Sequence, residues 1–283
     1  MKVVTSIPEM QEASSSLRRA GKSIAVVPTM GYLHNGHLSL VKIAKKNSDV
    51  VITTIFVNPT QFAPHEDFDK YPRDIEADKA HAQSAGTDIL FTPDVSSMYP
   101  ENYLTYVEIE KISKVLEGKF RPSHFRGVAT VVAKLFNITQ PHIAVFGQKD
   151  AQQIAIIKQM VRDLNFNIKI VVGPIIRDHD GLALSSRNVY LSPQERSEAI
   201  VLHQSLELAQ QIIHSGARHS HEIIDNMMKL ISSKPSAQID YISITDAETL
   251  SELSTIIPAT EVLISLAVRI GATRLIDNII VNA

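Results

Sequence analysis

The chain contains no cysteine. Disulfides, thiolate nucleophiles and cysteine-ligated zinc are therefore excluded, and any chemistry must come from oxygen and nitrogen groups. Neither sign of charge predominates, since 28 lysine and arginine residues face 30 aspartate and glutamate residues, for a formal net charge of −2. This balance differs from the basic footprint of nucleic-acid-binding proteins, so we expect no nucleic-acid partner.

Long apolar runs are also absent. The longest extends from Val50 to Val57 with two threonines inside it, whereas a membrane-spanning helix needs about 20 apolar residues. Near the amino terminus, Pro8 and Glu9 interrupt the sequence before the apolar segment of a signal peptide could form. We therefore expect a cytoplasmic protein with no membrane partner.

What the sequence does contain is enough apolar material for a large core, 44% of 283 residues. In the first part, short β-branched runs such as SIAVVPTM, VVITTIFVN and HIAVFG alternate with helical patterns. This alternation is typical of βαβ units in a parallel sheet covered on both faces. It predicts an α/β fold, a Rossmann-like doubly wound parallel sheet, for residues 1–176.

The pattern changes after about Arg177. Ser192-Pro193-Gln194-Glu195 matches a capping box, with proline at the first helical position, and predicts the start of one long helix through the 190s and 200s. A second helical pattern follows at roughly 219–232, and DYISITD and EVLISLAVRIG resemble strands, before a last apolar run RLIDNIIV. We expect a smaller C-terminal α+β domain over residues 177–283.

In doubly wound sheets, ligands bind beyond the carboxyl ends of the strands. Four polar clusters follow predicted strands, and we expect them to meet at one rim of the sheet. They cover residues 28–37, 58–62, 147–150 and 184–188.

The first cluster holds two histidines, His34 and His37, at the start of a helical pattern. Gly36 between them lets the backbone approach a ligand closely, and a helix amino terminus favours an anion. Both imidazoles could donate hydrogen bonds to one phosphate and stabilise charge that grows in a transition state. Two alternatives stay open: solvated surface histidines, or a zinc site for which His65 would be the third ligand.

The cluster at 147–150 opens another helical pattern. Lys149 could meet a phosphate, Asp150 could accept ribose hydroxyls, and Gln153 lies one turn further on the same face. A capping aspartate with solvated neighbours explains these residues equally well.

The remaining two clusters carry neutral and cationic donors. Ser185, Ser186 and Arg187 combine hydroxyls with a guanidinium group suited to a polyphosphate, or they form a turn before the next helix. Asn58 and Gln61 could hold a carboxylate or hydroxyl group, or they serve ordinary turn chemistry.

No sequence signature of covalent catalysis or of a Gly-rich phosphate loop is present: GxSxG, GxxxxGK[ST] and a GxGxxG after the first strand are all missing. A site rich in phosphate donors but without its own nucleophile leaves the attack to the substrate. This favours nucleotidyl transfer.

Six motifs point to a family. PTMGYLHNGH resembles the HxGH signature of the HIGH-type nucleotidyltransferases. Together with FVNPTQF, YPRD, HFRGVATVV, FGQKDAQQ and LALSSRN, which follow in order to residue 188, it resembles the pantothenate synthetase (pantoate–β-alanine ligase) family over nearly the whole chain.

The resemblance implies a two-step reaction with ATP as a substrate. The carboxylate of pantoate would attack the α-phosphate of ATP to give pantoyl adenylate and pyrophosphate, and the amine of β-alanine would then displace AMP to form pantothenate. It also implies Mg²⁺ accompanying ATP, no protein-held metal, and a homodimer. Residues 1–176 would bind the nucleotide and pantoate, and residues 177–283 would cover the active site.

The resemblance also assigns residues. His37 would be the proton donor, with His34 and Lys149 as further catalytic residues, while Gln61, with Asn58 beside it, would hold pantoate and later β-alanine. Gln153 would bind pantoate, and Arg121 and His124 in FRPSHFRG are placed to reach the site. Gln148 stands where the family often has glutamate. The implied ATP-binding residues are Met30, Gly31, Tyr32, Leu33, His34, Asn35, Gly36, His37, Gly147, Gln148, Lys149, Asp150, Ile176 by its backbone, Leu184, Ser185, Ser186 and Arg187.

Two other functions compete with the ligase. Another HxGH enzyme would transfer a nucleotidyl group to a phosphorylated acceptor, and a non-catalytic module would bind ATP without turnover. An aminoacyl-tRNA synthetase is disfavoured because the chain has no basic tRNA-binding appendage.

Overall fold

The computed structural model describes residues 1–64 and 66–283. His65, the third ligand of the zinc alternative, lies outside the described residues. The strands are β1 (Lys2–Val4), β2 (Ile24–Thr29), β3 (Val50–Ile55), β4 (Ile89–Phe91), β5 (Ile143–Gly147), β6 (Lys169–Gly173), β7 (Ala237–Asp246), β8 (Glu261–Ile270) and β9 (Thr273–Asn282). The α-helices are α1 (Ile7–Arg19), α2 (Asn35–Asn47), α3 (Ile75–Ala85), α4 (Val95–Met98), α5 (Glu117–Phe120), α6 (His124–Thr139), α7 (Ala151–Asp163), α8 (Pro193–Glu198), α9 (Val201–His214) and α10 (Ser220–Ile231).

Strands β1 to β6 form one parallel sheet in the order β1-β4-β3-β2-β5-β6. From β2 the chain builds outward through β3 and β4 on one side, and later through β5 and β6 on the other. The direction of winding thus reverses beside β2, and in such sheets ligands bind at that reversal. The predicted α/β fold is confirmed, and the HNGH segment follows the strand at the reversal.

Helix α2 packs directly against this sheet. Its buried Leu40, Val41 and Ala44 share a core cluster with Ala25 and Val27 of β2. The fit is close at the end of β6, where a Cβ atom on Gly173 would lie 2.4 Å from Leu40 Cδ2. Glycine at this position leaves room for the Leu40 and Ile43 side chains of α2, which would have to shift to accommodate any larger residue.

The second sheet is antiparallel, with the order β7-β8-β9. Helices α9 and α10 pack on it through buried residues such as Leu206, Ile213 and Met227, and β8 contributes Ile264 and Leu266 to the same core. The predicted C-terminal α+β region is therefore confirmed.

The single long helix predicted from Ser192 onward is wrong. The capping box itself is present, since the Ser192 amide donates to Glu195 Oε2 at 2.8 Å and the Glu195 amide to Ser192 Oγ at 3.3 Å. However, α8 ends at Glu198, and the Leu202 amide donates to the Ala199 carbonyl, three residues back, at 3.2 Å. This tighter turn interrupts the four-residue hydrogen-bond ladder, and α9 begins after it.

The chain forms two compact units. The first comprises Met1–Lys114, Gly118–Gly147 and Ile156–Pro174, and contains the parallel sheet. The second comprises Val115–Glu117, Gln148–Ala155 and Ile175–Ala283. The functional division into residues 1–176 and 177–283 stays a prediction. In the described part of the chain, no helix combines the length and apolar character that a membrane span requires.

Candidate active site

The two histidines of the first unit cap helix α2 together. His34 is the N-cap residue, and its Nδ1 accepts the Gly36 amide at 3.2 Å, while His37 Nδ1 accepts the His34 amide at 3.3 Å. The two rings lie side by side with centroids 4.1 Å apart. Because each Nδ1 is an acceptor, the hydrogen of each neutral ring must be on Nε2. The helix start thus presents two Nε2–H groups of fixed tautomer.

The loop before this helix is held by Asp78, a residue that the sequence analysis missed. Its buried carboxylate accepts the Tyr32 amide at 2.8 Å and the Leu33 amide at 2.6 Å. Gly31 and Tyr32 both have positive φ, 85° and 52°, and a Cβ atom on Gly31 would meet Asp78 Oδ2 at 2.9 Å. Asp78 was detectable, because it shares the buried face of α3 with Ala82 at helical spacing.

Asn58 and Gln61 lie in the turn after β3, and they contact each other. Asn58 Nδ2 donates to Gln61 Oε1 at 3.2 Å, and Asn58 Oδ1 accepts from the hydroxyls of Thr60 and Tyr99, each at 2.9 Å. Gln61 Nε2 in turn reaches Met30 Sδ at 2.7 Å. Asn58 therefore orients Gln61, whose amide reaches the loop that leads to the histidines.

Tyr99 stays protonated in this network. Burial raises the pKa of its hydroxyl to about 12, so the group remains a donor to Asn58 at neutral pH. Neither Tyr99 nor Thr60 was among the predicted site residues. The sequence offers no pattern that links Tyr99 to Asn58, since 41 positions separate them.

Arg121 and His124 contact this turn, while their role at a substrate stays a prediction. His124 Nδ1 lies 2.9 Å from the Gln61 carbonyl oxygen, and because a carbonyl only accepts, Nδ1 carries the hydrogen. His124 Nε2 then accepts from Arg121 Nη1 at 3.2 Å, and Arg121 forms a bidentate ion pair with Glu66 at 2.6 and 2.7 Å. The sequence analysis missed Glu66. These groups fix the Gln61 backbone, while the Asn58 network fixes its side chain.

In the second unit, Lys149 and Asp150 do not open helix α7. They lie in a short 3-10 turn, Gln148–Asp150, immediately before it. Asp150 is exposed, whereas Lys149 and Gln153 are partly buried. Gln153 belongs to the first turn of α7, directly after the 3-10 turn.

The segment from Ile176 to Arg187 doubles back on itself in the second unit. Arg177 and Ala183 form an antiparallel bridge, and the Leu184 amide donates to the Ile176 carbonyl at 2.9 Å. Ser185 then caps a 3-10 helix, its Oγ accepting the Arg187 amide at 3.3 Å. Two segments predicted to touch the nucleotide, at Ile176 and at 184–187, are thus bonded to each other.

The structure therefore joins the predicted residues in two groups. Gln61 contacts both Met30 and Asn58 in the first unit, which also holds His34 and His37. Lys149, Asp150, Gln153, Ile176 and residues 184–187 belong to the second unit. That both groups bind one substrate set stays a prediction. No cluster of three or more potential metal-binding carboxylate or histidine side chains exists among residues 1–64 and 66–283.

Comparison with known proteins covers the whole chain. The family model of pantoate-beta-alanine ligase matches residues 2–280. The chain is 51% identical to pantothenate synthetase of Acetivibrio thermocellus over 100% of both chains, and 53% identical to that of Chloroherpeton thalassium over 98% of both.

Solved structures agree. The crystal structure of pantothenate synthetase from Thermus thermophilus matches with a TM-score of 0.92 and 43% identity, covering 99% of each chain. Pantoate-beta-alanine ligase from Francisella tularensis, crystallised with beta-gamma ATP and beta-alanine, matches with a TM-score of 0.81 and 37% identity, covering 99% of this chain and 97% of that one.

A doubly wound parallel sheet with an HxGH segment after the strand at its reversal defines the class of the HIGH-type nucleotidyltransferases. Within that class, this chain belongs to the pantoate–β-alanine ligase family. It is an enzyme that forms an amide bond between pantoate and β-alanine.

Proposed function

We propose that the ligase reaction runs in two steps with ATP as the activating substrate. A carboxylate oxygen of pantoate attacks the α-phosphorus of ATP, the bond to the β-phosphate oxygen breaks, and pyrophosphate leaves. The amine of β-alanine, after loss of a proton, then attacks the carbonyl of pantoyl adenylate and AMP leaves. Pantothenate is the product.

The fixed tautomers of the histidine pair carry this proposal. Two adjacent Nε2–H groups at a helix amino terminus suit an anion whose charge grows during attack at phosphorus. His37 donates a proton or hydrogen bond to the phosphate oxygens, and His34 supports it. Residues 30–37 line the ATP site.

Gln61 is the proposed carboxylate-binding residue of the first unit. Asn58, Arg121 and His124 hold it in place, so its amide is preorganised for pantoate and then for β-alanine. A neutral amide suits this role because it binds a carboxylate without competing as a nucleophile.

The second unit supplies charge and further binding groups. Lys149 contacts the phosphates, Asp150 the ribose, and Gln153 pantoate. The Ile176 backbone lies at the adenine, and Leu184 to Arg187 form a second phosphate-binding segment with two serine hydroxyls and a guanidinium group.

We propose that Mg²⁺ enters with ATP. Mg²⁺ usually keeps several waters and binds through substrate phosphates, which suits a chain whose described residues offer no cluster of metal ligands. It supplies neutralisation of phosphate charge. The phosphates themselves hold it, and we assign it no protein ligand.

We also propose a homodimer in the cytoplasm, where ATP is available. Leu104 is 88% exposed and Tyr106 40% exposed in the same extended segment, an apolar surface that a second copy could bury. Sedimentation of Leu104→Asp beside the control Leu164→Asp, which alters an exposed leucine elsewhere, tests this. Only the first variant should become monomeric.

The test of the chemistry is exchange of labelled pyrophosphate into ATP. Exchange should require pantoate and proceed without β-alanine, because only the first step is reversed. If folded protein forms pantothenate but shows no exchange, pantoyl adenylate is refuted as the intermediate. Release of AMP, rather than a product that retains the nucleotide, separates this reaction from nucleotidyl transfer to a phosphorylated acceptor.

A further inference from the structure

Two neighbouring polar residues on β9, Asp277 and Asn278, are both buried, at 2% and 3% exposure. Consecutive strand residues normally point to opposite faces of a sheet. Burial of two consecutive polar residues within the apolar run RLIDNIIV therefore means that both faces of β9 are covered at this point. Burying an amide and a carboxylate costs free energy unless each finds partners.

The partners of Asn278 are the backbone groups of the turn that carries Lys149. Asn278 Nδ2 donates to the Gln148 carbonyl at 3.1 Å and to the Lys149 carbonyl at 2.9 Å, and Asn278 Oδ1 accepts from Gln148 Nε2 at 3.1 Å. The orientation of the amide is fixed by chemistry, since both carbonyls can only accept. One side chain thus holds two consecutive carbonyls.

The partner of Asp277 is the segment at Ile176. Arg177 binds the Asp277 carboxylate through both terminal nitrogens, at 2.6 and 3.0 Å, and donates to the Gly181 carbonyl at 3.1 Å. The backbone N–H of Asn278 also donates to Asp277 Oδ1, at 2.8 Å. Asp277 and Asn278 therefore connect β9 to two segments that are predicted to touch the nucleotide: the turn at Lys149 and the segment at Ile176.

We infer that Asn278 is a positioning residue for ATP, one that acts by fixing the backbone from which Lys149 and Asp150 extend. This rests on the proposed function, since it takes Lys149 at the phosphates and Asp150 at the ribose. Bonds to two adjacent carbonyls set the direction of both following side chains. The ion pair between Asp277 and Arg177 connects the neighbouring residue of β9 to the segment that begins at Ile176.

Asn278→Asp is the direct test, because the size is kept while a carboxylate oxygen replaces the donor and faces two carbonyl oxygens. Asn282→Asp is the matched control: it makes the same change at an exposed position on the same strand. ATP affinity is measured by calorimetry without pantoate, and KM is measured for ATP and for pantoate. Thermal unfolding reports stability separately.

We expect Asn278→Asp to weaken ATP binding about 10- to 100-fold, as for loss of buried hydrogen bonds. The KM for pantoate should change less than the ATP affinity, because Gln61 belongs to the first unit and Gln153 lies in helix α7, beyond the two carbonyls that Asn278 holds. In a Lys149→Ala background the same substitution should cost less ATP affinity, since one of the two positioned side chains is gone. Asn282→Asp should match the unsubstituted chain.

Equal ATP affinity in Asn278→Asp and Asn282→Asp would overturn the inference, even if stability fell, because that result describes a purely structural residue. If Asn278→Asp does not fold, Asn278→Ser decides by the same two measurements, since it removes the bonds without adding a charge. An unsubstituted chain that binds ATP but forms no pantoyl adenylate would instead refute the proposed function.

Discussion

The two groups of predicted site residues are supported in different ways. In the first unit, hydrogen bonds reach the functional side chains themselves: His34 and His37 accept backbone amides through Nδ1, and Gln61 is held by Asn58. In the second unit, hydrogen bonds also fix the backbone from which functional side chains extend. The carbonyl of Lys149 and the amide of Arg187 are fixed, and the long charged side chains extend from them.

The difference indicates a division of labour. A fixed tautomer matters for chemistry at a reacting atom, whereas a fixed backbone that carries a cationic side chain suits the binding of a polyphosphate. Substitutions in the first unit should therefore act mainly on the rate of reaction. Those in the second should act mainly on substrate affinity.

The largest expected effect is that of His37→Ala. Loss of a preorganised donor to developing charge should raise the barrier to adenylation by about 2 to 4 kcal/mol, measured as a single-turnover rate. His37→Asn separates the two roles of the ring, since its amide oxygen can replace Nδ1 in the cap but nothing replaces Nε2–H. It should be as slow as alanine, whereas His37→Gln, with an amide nitrogen near the Nε2 position, should recover part of the rate. A fast His37→Asn variant would contradict our assignment.

Gly127→Ala tests how far the first unit depends on exact geometry at Gln61. A Cβ atom there would lie 2.3 Å from the Thr60 carbonyl oxygen and 2.6 Å from the Gln61 amide nitrogen. We expect a loss of about 1 to 3 kcal/mol in the free energy of unfolding, together with a lower rate. At Gly147 the nearest atom, Leu40 Cδ1, is 3.6 Å away, so Gly147→Ala should unfold like the unsubstituted chain. Equal stability of both variants would show that α6 shifts to accommodate the added methyl group at little cost, and would contradict this expectation.

Gln153→Ala addresses affinity in the second unit. We expect pantoate KM to rise by a factor that corresponds to about 1 to 2 kcal/mol, with a smaller effect on ATP binding. Gln159→Ala, on the same helix, should change neither. Equal losses of affinity for pantoate and for ATP would contradict the assignment of Gln153 to pantoate.

The smallest effect concerns pH and stability. Burial, with a contribution from Arg18, lowers the pKa of His142 below its ordinary value of 6.5, and Nδ1 accepts the Ile24 amide at 3.0 Å. The unfolded chain therefore binds this proton more readily, so stability is retained above pH 6.5 and decreases as the pH falls through that value. His142→Asn can keep the acceptor without titrating, and its unfolding should depend less on pH. This variant is needed because the first unit contains other histidines, His34 and His37 among them. If the stability of His142→Asn depends on pH as strongly as that of the unsubstituted chain, the effect belongs to other groups.

The sequence predicted the elements better than their ends. The parallel strands followed from β-branched runs, whereas the helix ends depend on local caps such as Gly86, which ends α3 in the left-handed conformation at φ 103°. Helix α1 is not among the predicted elements, although Ser6 caps it and Pro8 lies in its first turn, because it buries only Met10 and Ser14 and so has a weak apolar pattern. The break between α8 and α9 was missed because no proline or glycine marks it.

The sequence by itself determined the family, the α/β fold and the positions of the polar clusters, because motifs and hydrophobic periodicity are local properties of the chain. Only the tertiary structure decided how those clusters are held. Asn58, which orients Gln61, depends on Tyr99, 41 positions away, and the turn at Lys149 depends on Asn278, 129 positions away. Hydrogen bonds between residues so far apart arise from packing, and no periodicity records them.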